Sequence, residues 1–304
     1  GSSKVGLAWN DPAYIQHGSS TQTFSAINMD RASEIPVIDQ FARPVAALGA
    51  NWSAAWRHRG DSRTNFGVDL RSLSGEIREN VDAMQNVFTH QLIAGGKQAF
   101  AGAFLLHEQV INSQLRANLG VRIDRWNETN GHQREIERST QDVIFDHHFS
   151  ADRGKELSPS LGIVWQAAKS WRWRIDGQQA FRRPALSERY SFSGVNSVLI
   201  FGNPNLRTEH NDSIEIATDY SFHRKSSPGP QNKSAVLIFG VKAFSNELHD
   251  AAGTVTIPRG TGEFLPLDAL PAGYRGEQQT NLDRVKIQGF ALSSTWNPAE
   301  TFLS

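Results

Sequence analysis

Apolar and polar residues alternate with a period of two along most of this chain. Leu115, Ala117, Leu119, Val121 and Ile123 alternate with Arg116, Asn118, Gly120, Arg122 and Asp124, the spacing of a strand with one greasy and one polar face. Ala50, Trp52, Ala54 and Trp56 do the same against Asn51, Ser53 and Arg57. So do Phe66, Val68 and Leu70 against Asn65, Gly67, Asp69 and Arg71. Trp171, Trp173 and Ile175 oppose Arg172, Arg174, Asp176 and Gln178, and Ile214, Ile216, Tyr220 and Phe222 oppose Glu215 and Asp219. The pattern predicts about nine clear strands, with about two to four more before residue 49.

Alternation alone also suits a soluble sandwich, in which the greasy face is the core. Two features favour a membrane barrel. The polar face carries Arg, Asp, Glu and Gln in mid-strand, as a hydrated lumen wall does, and Trp or Tyr recurs near the ends of the apolar faces, as interfacial girdles do. The connections agree. Asn112-Ser113 and Lys169-Ser170 are short, whereas the stretches from Asn127 to Glu156, Arg182 to Asn211 and Asp250 to Leu282 are long. His223 to Lys233 is intermediate, and Asn297-Pro298 begins another turn. Long outer loops alternating with short turns is the layout of an outer-membrane barrel, with the strand over 114–126 running outward.

Composition narrows the chemistry. The 31 Lys+Arg and 31 Asp+Glu cancel, so no basic excess points to nucleic acid. With no cysteine among 304 residues, disulfides, thiolate metal sites and a Cys nucleophile are excluded. No apolar run reaches the roughly 18–20 residues of a transmembrane helix. No G-x-S-x-G elbow, H-E-x-x-H helix or P-loop occurs, and Asp61, Asp69, Glu76 and Asp124 read as lumen acids facing Arg rather than as a catalytic pair. No catalytic residue, cofactor or metal site is assigned, and the chain is read as no enzyme. Gly1-Ser2-Ser3-Lys4 lacks the regions of a signal peptide, and the last residues begin what reads as a further strand. The chain is therefore read as cut at both ends.

Three segments follow one another along the chain. Ser158-Pro159-Ser160-Leu161-Gly162 opens one strand, Phe181-Arg182-Arg183-Pro184 leads to Glu188-Arg189-Tyr190, and Gly202-Asn203-Pro204-Asn205-Leu206-Arg207-Thr208-Glu209 follows. In this order they resemble the TonB-dependent receptor family, which shows SP-x-L-G, F-R-x-P with E-x-Y, and G-N-P-x-L-x-x-E. Gly120 to Trp126 is similar to the family's G-x-R-x-D-x-W strand and Phe244 to Asp250 to its F-x-N-x-L-x-D end. Asn281 and Gly289 match a further pair, but Ala291 stands where the family has an acid. The resemblance covers 50–304, and 1–49 is compatible with it. Phe181, Arg182, Pro184, Gly202, Asn203, Pro204, Leu206 and Glu209 are expected to shape barrel and loop, the prolines where strands leave the sheet and Glu209 by pairing with Arg182 or Arg183.

The resemblance implies an all-β, antiparallel transmembrane barrel, incomplete here: roughly 10–13 strands of about 22 in a plugged transporter of this type. The resemblance makes residues 1–304 one portion of the barrel, clearer over 50–304 than over 1–49, with no plug domain expected in them. It implies a place in the bacterial outer membrane, contact with its lipid, coupling to TonB through a plug elsewhere in the parent protein, and import of a scarce solute, foremost a ferric siderophore. Some haem receptors carry a His between the F-R-x-P and N-P-x-L segments, and none stands between Pro184 and Asn203. Arg183, Arg189, Tyr190 and Phe192 on one loop offer cationic and aromatic surface to an anionic chelate. His132 and Arg134, near Arg138, His147 and His148 in another, are the further candidates. A passive porin-like or structural barrel, and a soluble β-sandwich or propeller with a binding or hydrolytic role, are the alternatives.

Overall fold

The computed structural model describes residues 6–10, 12–27, 34–58, 61–84, 87–195, 198–224, 235–257 and 275–297. It opens with β1 (Gly6–Asn10), β2 (Ala13–Gly18), β3 (Gln22–Ile27), β4 (Glu34–Ala42) and β5 (Val45–Arg57). Then come β6 (Arg63–Met84), β7 (Val87–Val110), β8 (Leu115–Glu137), β9 (Val143–Phe149), β10 (Asp152–Ala168) and β11 (Trp171–Arg182). A short helix α1 (Leu186–Tyr190) and the small strands β12 (Phe192–Val195) and β13 (Val198–Phe201) precede β14 (Glu209–Arg224), β15 (Ala235–Ile257) and β16 (Arg275–Asn297).

All sixteen strand segments join one sheet. Both β1 and β2 pair with β5, β3 pairs with β4, and β4 and β5 pair in succession with β6. The strands expected before residue 49 are thus present, with β1–β3 and β4–β5 as the two sides of an interrupted antiparallel pair among the described residues. In the same way β9 and β10 share the partner β8. From β5 onward the passes form an antiparallel meander, β5-β6-β7-β8-β10-β11-β14-β15-β16, with β13 laid parallel on the outer end of β16. The sheet is unclosed among the described residues, with β1 at one end of its path.

One face is greasy and open. Leu119, Val121 and Ile123 of β8, Leu157, Leu161 and Ile163 of β10, and Ile214 and Ile216 of β14 are all exposed on it. Trp56, Trp165, Trp171, Tyr220 and Trp296, also exposed, lie toward the end of the sheet that carries the short turns at 111–114 and 169–170. No second layer covers this face among the described residues, so the sheet is not half of a sandwich. A hydrocarbon solvent satisfies such a face, and a barrel wall pairs its backbone along the sheet as lipid requires. No helix among the described residues is long and apolar enough to cross a membrane.

The outer ends differ from the expected loops. The stretch from Asn127 to Glu156 is not a long loop: β8 continues to Glu137, turns over 138–142, and returns as β9. Likewise β15 runs to Ile257 and β16 begins at Arg275. Beyond the bilayer both faces of a strand meet water, so alternation fades while the ladder continues. The connection within 223–233 lies outside the described residues from 225 on, as do 258–274 and everything from Pro298.

Candidate functional site

Beyond Arg182 the chain leaves the sheet and folds back onto the polar face, where α1 lies against β7 and β8. The described residues of 183–208, which carry α1, β12 and β13, form this inner loop. The Arg183 side chain is 3 % exposed and Glu128 of β8 fully buried. The guanidinium donates to both Glu128 oxygens at 2.9 and 3.1 Å, to Asp152, and to Thr208 Oγ1 at 3.3 Å. It also lies 3.8 Å above the Trp126 ring. Arg189 joins Glu128 and Asp152 from α1 and donates to the Pro204 carbonyl. Two arginines thus converge on two carboxylates, and bidentate geometry fixes the approach of Arg183 to Glu128. Burial pulls the Arg183 guanidinium down from its ordinary value, opposed mainly by the Asp152 charge. An arginine starts so high that it stays charged.

Two amides complete the clamp. Gln98 of β7 donates to Glu128 at 2.8 Å and to the Pro184 carbonyl at 2.7 Å, while Gln133 donates to the Tyr190 carbonyl at 2.6 Å. Tyr190 is buried, stacked on Phe149 with ring centroids 5.2 Å apart. Its seat is made of absent side chains: a Cβ on Gly131 would stand 2.5 Å from the Tyr190 ring, and one on Gly96 3.2 Å. Burial raises the Tyr190 hydroxyl above its ordinary value, with the Arg189 and Arg183 charges opposing.

The motif residues serve this loop. Arg182 donates to Glu209 at 2.7 Å and to Glu188 at 2.8 and 3.1 Å, and Glu188 accepts the Ala185 N–H at the start of α1. Arg183 goes to Glu128 instead. Pro184 and Leu206 are buried, the Asn203 side chain accepts the Asn205 N–H at 2.9 Å, and a Cβ on Gly202 would press on the Arg189 backbone at 2.8 Å. Pro204 gives the carbonyl that holds Arg189. Asn281 ties the loop to β15, accepting from the Arg207 N–H at 2.9 Å and donating to the Asp250 carbonyl at 2.6 Å. Phe244 and Gly289, from two separate motifs, are cross-strand partners, and the ring covers the glycine. Ala291 faces Lys242, whose ammonium pairs instead with Glu215 at 3.0 Å.

Below the loop lies a cavity of about 450 Å³ lined by Asp69, Arg71, Phe100, Arg122, Asp124 and Arg183, with Tyr14 and Phe181. Arg122 bridges Asp69 at 2.7 Å and Asp124, so these acids are ion-paired. Arg71 lies 4.5 Å over Phe100 and makes no ion pair among the described residues.

The six residues expected to touch ligand therefore separate. Arg183, Arg189 and Tyr190 are buried in the clamp. Phe192 stacks on Phe201 at 4.9 Å and packs beside the buried Ile38, Val81 and Leu92. His132 and Arg134 lie on strand β8 beyond a bulge: His132 contacts Glu76 at 3.2 Å across Gly95, and Arg134 lies 3.7 Å from Asp146. The bulge, with Asn130 at φ 55°, puts the buried Gln133 and Glu135 where even-numbered residues stood below. Glu128, Asp152, Gln98 and Gly131 went unread in the sequence, although Glu128 shares the parity of Arg122, Asp124 and Trp126. Among the described residues no group of three or more His, Asp or Glu is placed to hold a metal.

A family model described as TonB dependent receptor-like, β-barrel matches residues 2–304. Among solved structures, a copper transporter, OprC, aligns over 95 % of this chain and 41 % of its own, with 14 % identity and a TM-score of 0.64. The ferric yersiniabactin uptake receptor FyuA from Yersinia pestis aligns over 96 % and 40 %, with 10 % identity and a TM-score of 0.58. The Serratia marcescens hemophore receptor HasR, in complex with its hemophore and heme, aligns over 97 % and 52 %, with 12 % identity and a TM-score of 0.52. The chain thus spans about half or less of these structures, which share its fold. No curated protein matches.

Proposed function

As this chain belongs to the TonB-dependent receptor β-barrel family, we propose that it supplies wall and outer loops to an outer-membrane importer of an anionic metal chelate, foremost a ferric siderophore. The carrying observation is the inner loop clamped above a cavity that joins aromatic surface to the cation Arg71, which has no ion pair among the described residues. A carboxylate- or catecholate-bearing chelate meets such a site through charge and stacking. Coupling to TonB belongs to the whole importer. In this reading His132 and Arg134 are accessible on arrival, whereas Arg183, Arg189, Tyr190 and Phe192 act on ligand only as the loop lifts.

The test is binding of ferric chelates of anionic siderophores by the purified protein, followed by tryptophan quenching, with haem and copper(II) as competitors. Ferric chelate is expected to bind, and Arg71→Gln to weaken it about tenfold, the worth of one charge-assisted contact. Binding of haem or copper alone would reassign the cargo.

A further inference from the structure

The outward face of β7, β8 and β10 changes character over one residue pair. From Leu115–Trp165 through Leu119–Leu161 to Ile123–Leu157 the cross-strand pairs are apolar. On β10 this spans nine residues, Leu157 to Trp165, the length with which a tilted strand crosses the hydrocarbon core. The next outward pair is Arg125–Lys155, and the one beyond is Asn127–Arg153. Lys97 of β7 stands opposite Thr129, one step further out.

All four cations are exposed, and none has an ion pair or side-chain hydrogen bond among the described residues. Arg125 and Lys155 are like charges directly opposite, a destabilising pair in an empty sheet. Their other neighbours bring no acid: Ala101 pairs with Arg125 and Ala99 with Asn127. The other side of the sheet is built differently. There, on β14–β16, His249 lies 3.4 Å from Asp212, Arg284 3.1 Å from Glu247, and Lys286 is the cross-strand partner of Glu247, so these basic groups face acids within the protein. Among the described residues, the β7–β10 sector has cations at the boundary of the apolar band with no acid opposite them.

We propose that Lys97, Arg125, Arg153 and Lys155 form a binding patch for phosphate-bearing lipid headgroups of the leaflet at the outer ends of the strands. Lipid phosphates lie at that depth, and each basic residue near an anionic surface adds to the attraction. The patch would fix this sector's depth and rotation in the bilayer. The inference rests on the membrane reading of the barrel.

Native mass spectrometry of the detergent-solubilised protein, titrated with a diphosphorylated lipid A or with phosphatidylcholine, reads the patch directly. A variant with all four residues changed to Gln should bind the diphosphorylated lipid roughly a thousandfold more weakly, whereas Arg284→Gln with Lys286→Gln should not. Inorganic phosphate at millimolar concentration should not compete. Equal lipid binding by the fourfold variant overturns the patch, and full competition by inorganic phosphate overturns a lipid in favour of a free anion. Flotation with phosphatidylcholine vesicles tests insertion separately: a protein that fails to float overturns the membrane reading and the patch together, while one that floats but ignores the phosphorylated lipid overturns the patch alone.

Discussion

At the residue scale the centre of the inner loop is Glu128, fully buried between two arginines that come from 55 and 61 positions further along. A buried ion pair gives little net stability, but losing one member strands the other. Glu128→Ala should therefore cost about 3–5 kcal/mol in chemical unfolding, because Arg183 and Arg189 keep their burial and lose their main acceptor. Combining it with Arg183→Met should return part of that loss, which a double-mutant cycle measures. Tyr190 gives a pH signature. Its hydroxyl is raised above the ordinary 10.0, first by burial, so above pH 10 the unfolded chain loses the phenolic proton while the docked loop still holds it. The unfolded state then binds fewer protons, and stability falls as pH rises. The loop should stay docked below pH 10 and weaken above it. Absorbance at 295 nm should show one tyrosine titrating late, and that component should vanish in Tyr190→Phe. From sequence, Arg183, Arg189 and Tyr190 read as ligand surface because loop Arg and Tyr are usually solvated. Their burial depends on Glu128 and Asp152, and nothing local in the chain announces that pairing.

At the element scale, the strands were legible wherever one face meets lipid and the other meets water. The outer hairpin of β8 and β9 was not, because above the bilayer the two faces no longer differ in solvent. The motif order carried more than the periodicity there: Arg182, Glu188 and Glu209 form one ion-pair cluster that sets where β11 ends and β14 begins. It left α1 invisible, since five residues are too few for a helical period. What α1 requires is space. Gly131→Ala places a Cβ against the Tyr190 ring, and α1 has to move off β8 to admit it. Limited proteolysis should then cleave within 183–208 faster than in the parent protein, and Tyr190→Ala in the Gly131→Ala background should slow cleavage again by removing the obstructing ring. If Gly131→Ala leaves the cleavage rate unchanged, the glycine seat does not hold the helix.

At the scale of the whole molecule, the decisive property is a sheet that exposes its apolar face on purpose. Leu157, Leu161 and Trp165 follow one another on the outer face of β10, paired to Ile123, Leu119 and Leu115 of β8. If this face lies in hydrocarbon, the penalty for a charge there must depend on depth, a dependence that a protein core does not share. Leu161 is midway along the apolar rows and Leu157 is next to the Arg125–Lys155 boundary. Leu161→Arg should destabilise folding into phosphatidylcholine vesicles by about 2–4 kcal/mol, whereas Leu157→Arg should cost about 0–1 kcal/mol, because near the interface the guanidinium reaches water and phosphate. Urea-driven equilibrium folding of the protein into those vesicles reads both values. Equal penalties at the two positions would mean that no depth gradient exists along β10, and the alternating faces would then need a protein partner instead of a bilayer.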